Sequence, residues 1–167
     1  MRLPATLSGD YLTIYLNDHL AGSTFGMELA RRTASENEDT EFGAPLKELA
    51  GAIEEDRREL EGMMERLGVP RDPIKPALGW TLEKVGRLKL NGRLVGYSPL
   101  SRLVELETVG SGVQGKLSMW RVLRTIAPRE PRLEIAALDR LIRRAESQLD
   151  KLAALQSRAG EIALPRA

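Results

Sequence analysis

Apolar residues recur along this chain in alternating steps of three and four, the spacing that places them on one face of a helix. Four long segments carry the pattern. In the first, from about Asp10 to Glu36, the seam is Leu12, Leu16, Leu20, Ser23, Met27 and Ala30. The second starts near Pro45, stops at Gly68, and carries Leu46, Leu49, Ile53, Asp56/Arg57, Leu60, Met63/Met64 and Leu67. Its repeat averages 3.5 residues, the period of left-handed bundle packing, with charges interrupting it at the middle. Ser98-Pro99 opens the third, as a cap followed by a proline at the first helical position. Its seam is Leu103, Leu106, Gly110, Val113, Leu117 and Trp120, and it stops before Pro128. The fourth begins near Pro131 or Leu133 and reaches about Leu164, with Leu138, Ile142, Ala145, Leu149, Leu152, Gln156 and Ala159 inward. The pattern predicts an all-α four-helix up-down bundle forming one domain, residues 1–167.

The second and third helices are separated by about Pro70 to Tyr97, long enough for a crossing between non-neighbouring helices. Pro76 to about Leu90 reads as a short extra helix burying Leu78, Leu82 and Val85. Arg87 to Gly96 reads alternatively as a hairpin turning at Asn91-Gly92. The acidic stretch from Glu36 to Glu41 reads as a solvated loop.

Composition narrows the chemistry. The chain has no cysteine, which removes disulfides, zinc–thiolate sites and iron–sulfur clusters. It has one histidine, His19, which rules out any site needing two imidazoles in one chain. A net charge of +1 gives no overall pull toward nucleic acid or membrane. No apolar run approaches the ~20 residues that span a bilayer, and the N-terminal residues lack the apolar core of a secretion signal. These features lead us to expect a cytoplasmic protein.

Gly110-x-Gly112-x-x-Gly115-Lys116 mimics a nucleotide-binding turn. Such a turn needs a strand before it and a helix starting at the glycines. Here the motif interrupts a helical pattern, and Leu117 stands where a P-loop needs Ser or Thr. Each glycine inside a helix costs about 1 kcal/mol relative to alanine. We therefore expect Gly110, Gly112 and Gly115 to mark close helix packing or a local bend.

Leu16-Asn17-Asp18-His19-Leu20 is similar to the first-helix opening of bacterioferritin-like chains, and the run Glu54 to Glu59 resembles their second metal-binding helix. With four long helices and a long crossover, the chain resembles the ferritin-like superfamily, including uncharacterised bacterial members. The resemblance implies a di-metal centre built from one glutamate on each of two helices and a Glu-x-x-His pair on each of the others. Mapped residue by residue, those places fall on Ser23, on Glu54-x-x-Arg57 or Glu55-x-x-Arg58, near Gln114, and near Ala145-x-x-Gln148. Arginine repels cations, and serine and glutamine do not balance their charge. The expectation is a bundle that has lost its metals and holds no cofactor. Ser23, Glu54, Asp56, Arg57, Gln114 and Gln148 then form a residual polar core.

The leading functional expectation is a non-catalytic protein acting as a homodimer or through another partner. A divergent metal-dependent oxidase using Glu54, Asp56, Glu105, Glu107 and His19 is the enzymatic alternative, although Glu105 and Glu107 read first as solvated charges and His19 as a boundary residue. A third reading is a peripheral binder of lipid or nucleic acid, with Trp80 beside Lys84, Arg87, Lys89 and Arg93.

Overall fold

The computed structural model describes residues 5–72 and 96–164, with side chains from Tyr11 onward. The described residues are helical, without strands, in the order α1 (Ala5–Glu36), α2 (Gly43–Leu67), α3 (Pro99–Ile126), a 3₁₀ turn at Ala127–Arg129, and α4 (Ile135–Ala163). The predicted extra helix or hairpin, and Trp80, Lys84, Arg87, Lys89 and Arg93, lie outside the described residues.

The boundaries follow local chemistry. Ser98 is extended and its side chain accepts from the Ser101 amide at 3.1 Å, with Pro99 at the first helical position. Gly68 ends α2 in the left-handed conformation at φ 67°, with the Val69 amide returning to the Met64 carbonyl at 2.9 Å. Gly43 starts α2 for a steric reason. A Cβ there would lie 2.5 Å from the Glu38 carbonyl oxygen and 2.7 Å from that of Asn37, so the tight α1–α2 turn admits only glycine.

Side-chain bonds fix the directions of the helices. Asn17 donates to the Pro70 carbonyl at 3.0 Å and Arg57 to Thr24 at 3.2 Å, so α1 and α2 are antiparallel. Near the end of α1, Thr33 donates to Glu105, near the start of α3, at 2.9 Å. Arg132 donates to the Leu67 carbonyl at 2.9 Å, and Arg158 pairs with Glu41 at 3.1 Å, so α4 runs against α2. Consequently α2 and α3 point the same way. The Asp72 amide donates to Asn17 and the Tyr97 hydroxyl accepts from Asn37. Asn17 and Asn37 are twenty residues apart, about 30 Å along a helix, so the chain leaves α2 and enters α3 at opposite ends of the bundle.

All four helices contribute to one apolar core. The fully buried Leu16, Leu46, Leu60, Met63, Met64, Leu106, Met119, Trp120, Leu123, Leu138 and Leu152 define it. The predicted third seam is buried throughout. The fourth turns slightly: Leu141 and Gln148 are buried, whereas Ile142 and Leu149 are half-buried. Helix α3 is continuous α-helix across Gly110 to Gly115, with no widened turn.

Candidate functional site

Midway along the bundle, Asp56 of α2 is 1% exposed and points into the core. One oxygen receives the Lys116 ammonium from α3 and the Gln148 amide from α4, the latter at 2.9 Å. The other receives Arg144 from α4, whose Nε donates at 2.6 Å. Lys116 also donates to the Gln148 carbonyl oxygen at 2.6 Å, closing the ring of contacts. The Arg144 guanidinium extends outward to Glu55 at 3.4 Å. Burial pushes the Lys116 ammonium below its ordinary pKa, and Asp56 pushes back. An isolated carboxylate could not sit at this depth; three donors from two other helices make it tenable.

Of the expected polar-core residues, the structure brings Asp56 and Gln148 together. Gln114 is a correction: it is exposed, and Lys116, two residues on, turns inward instead. Arg57 and Glu54 are corrections of the same kind. Arg57 is half-buried and lies against Thr24 and Glu61, at 3.2 and 2.9 Å. Glu54 pairs with Arg31 at 2.7 Å and Arg58 at 3.5 Å near the surface, which holds its carboxyl below the usual range. Ser23 is half-buried and donates to the Leu20 carbonyl at 2.7 Å, within its own helix turn. The 3.5-residue seam passes between positions 56 and 57, and a one-residue difference decides which is central.

His19 is half-buried, with its ring 4.6 Å from Tyr15 in an edge-on contact. Burial lowers its pKa, and Asp18 opposes that. Gly110 is buried against α4, where an added Cβ would meet the Gln156 amide nitrogen at 2.9 Å. Gly112 and Gly115 face open space, which corrects the expectation of close packing there.

A second buried carboxylate, Glu105, corrects the expectation of a solvated charge. Glu105 is 4% exposed and holds Thr33 at 2.9 Å and Tyr97 at 3.1 Å, with Arg32 on its other oxygen. Asn37, fully buried within the expected solvated loop, donates to Tyr97 at 2.8 Å and accepts from Arg102. The Arg102 guanidinium lies 4.4 Å above the Phe42 ring. Burial pushes the Tyr97 phenol well above its ordinary pKa, and Glu105 adds to the shift.

A di-metal centre requires several anionic ligands around one volume. Among the described residues, no three of His, Asp and Glu come together in an arrangement that could hold a metal ion. The residues at mid-bundle do not fit two cations, because Lys116 and Arg144 already supply positive charge to the one carboxylate there. No helix of the described residues is long and apolar enough to cross a membrane. No protein-family model matches the chain, and no curated protein or solved structure matches it.

Proposed function

We propose that this chain is a ferritin-like bundle in which an ion cluster replaces the di-metal centre, and that it acts without catalysis, by association with a second copy or another partner. The carrying observation is the Asp56–Lys116–Arg144–Gln148 cluster, which occupies the middle of the bundle with two cations and one anion. The shared direction of α2 and α3 favours the ferritin-like reading over simple up-down-up-down winding. Association draws support from the exposed Tyr11 (64%) and Ile14 (46%), one turn apart on α1, and Val122 (47%) on α3.

The test is elemental analysis of protein purified from cells grown with added iron and manganese, beside sedimentation at tens of micromolar. The proposal expects far less than one metal ion per chain and a dimer. Two ions per chain, lost in Asp56→Ala, would overturn the metal half. A monomer in the absence of any captured partner would overturn the association half.

A further inference from the structure

Three acidic residues step along α2 and its approach at intervals of seven: Glu41, Glu48 and Glu55. Three basic residues step along α4 at the same interval: Arg144, Lys151 and Arg158. The antiparallel helices bring them into register. Glu41 meets Arg158 at 3.1 Å, Glu48 meets Lys151 at 2.6 Å, and Glu55 meets Arg144 at 3.4 Å. Each pair is open to solvent on at least one side, with side-chain exposures of 55 and 52%, 70 and 53%, and 60 and 32%.

This edge is built differently from the others. Backbones approach closely between α1 and α2, between α1 and α3, and between α3 and α4, but α2 and α4 are spanned mainly by long side chains. A buried polar cluster lies just behind the ladder, where Asp56 joins Arg144 and Gln148. Separating α2 from α4 therefore parts three solvent-exposed ion pairs and lets water reach the buried Asp56 cluster, with less close backbone packing to oppose it than at the other edges. Solvent-exposed ion pairs weaken as salt rises, because the screening length falls to about 3 Å at 1 M.

We propose that the α2–α4 edge is the seam at which this bundle opens, and that ionic strength sets how often it does so. The seam is independent of whether the protein works through a partner. Its test uses the absence of native cysteine, which makes any introduced thiol unique. Ala137 lies on the same seven-residue line of α4 and is 8% exposed; Ala30 is buried in α1 at 2%. The full chain carrying Ala137→Cys or Ala30→Cys is treated with iodoacetamide, an uncharged reagent, in low and in molar sodium chloride.

Labelling of Ala137→Cys is expected to rise about tenfold with salt, the equivalent of losing a few exposed pairs, while that of Ala30→Cys stays within about twofold. Equal acceleration at both positions would mean whole-chain unfolding and would overturn the proposal, as would no acceleration at position 137. Charge reversal supplies a second arm. Lys151→Glu added to Ala137→Cys should reproduce the fast labelling at low salt, and adding Glu48→Lys should restore the slow rate. Failure of the second reversal to restore it would also count against the seam.

Discussion

Among the described residues two carboxylates are buried, and their partners differ in kind. Asp56, at mid-bundle, is held by an ammonium, a guanidinium and a primary amide. Glu105, near the end of the bundle where α3 begins, is held by two hydroxyls and the half-exposed Arg32. Lysine and arginine can only donate hydrogen bonds, whereas Thr33 and Tyr97 can turn and accept them. The Asp56 site is therefore committed to a negative charge, and the Glu105 site tolerates a neutral group. The first joins three helices through charge. The second ties the last turn of α1 to the residues that lead into α3.

One chemical edit made at both sites breaks or upholds this contrast. Asp56→Asn leaves Lys116 and Arg144 facing an amide that cannot neutralise them, and the loss should be about 3–5 kcal/mol. Denaturant unfolding monitored by helical circular dichroism measures it. Glu105→Gln should cost less, about 1–2 kcal/mol, because the hydroxyls can reorient and Arg32 can turn to solvent. Equal losses from the two substitutions would remove the distinction.

A related variant separates charge from shape at the deeper site. Asp56→Leu, Lys116→Met and Gln148→Leu together remove every buried polar partner except Arg144, which retains Glu55. A hydrophobic replacement of a buried ion cluster is often neutral, so the triple variant should unfold within about 1 kcal/mol of the parent. A loss as large as that of Asp56→Asn would show that the ions are a net stabilising unit.

Much of the fold was legible because it rests on periodicity. The second seam comprises Leu46, Leu49, Ile53, Asp56/Arg57, Leu60, Met63/Met64 and Leu67, and all of these are buried except Arg57, which is half-buried. The Ser98-Pro99 start and the Gly68 stop were visible because capping chemistry is local. The site was less legible. Lys116 and Arg144 lie far from Asp56 in sequence, and a long basic side chain on a helix reads as solvated until its neighbour is known. The burial of Glu105 is hidden for the same reason, since its partners come from α1 and from Tyr97. The glycine-rich stretch drew attention by its motif, yet Gly112 and Gly115 face open space. Gly43 needs its missing side chain because of two carbonyls in the preceding turn, a constraint that no spacing in the sequence reveals.

The smallest expected effect gives the sharpest view of the Glu105 site, because it is read as a slope against pH. Removing the hydroxyl in Tyr97→Phe should cost about 1 kcal/mol near neutrality, since Glu105 keeps Thr33 and Arg32. The phenol is held protonated in the folded protein above its ordinary pKa, chiefly by burial, and the neighbouring carboxylate adds to this. In the unfolded chain it ionises near 10. Above that pH the native state binds the proton more tightly than the unfolded one, so stability is complete below about 10 and falls as pH rises beyond it. The parent's denaturation midpoint should therefore decline more steeply than that of Tyr97→Phe from about pH 10 upward, and the two curves should converge. Parallel curves would mean that Tyr97 ionises as readily in the fold as outside it. In that case the Glu105 pocket would be open to water, and its contrast with the buried Asp56 cluster would rest on exposure rather than on the kind of partner.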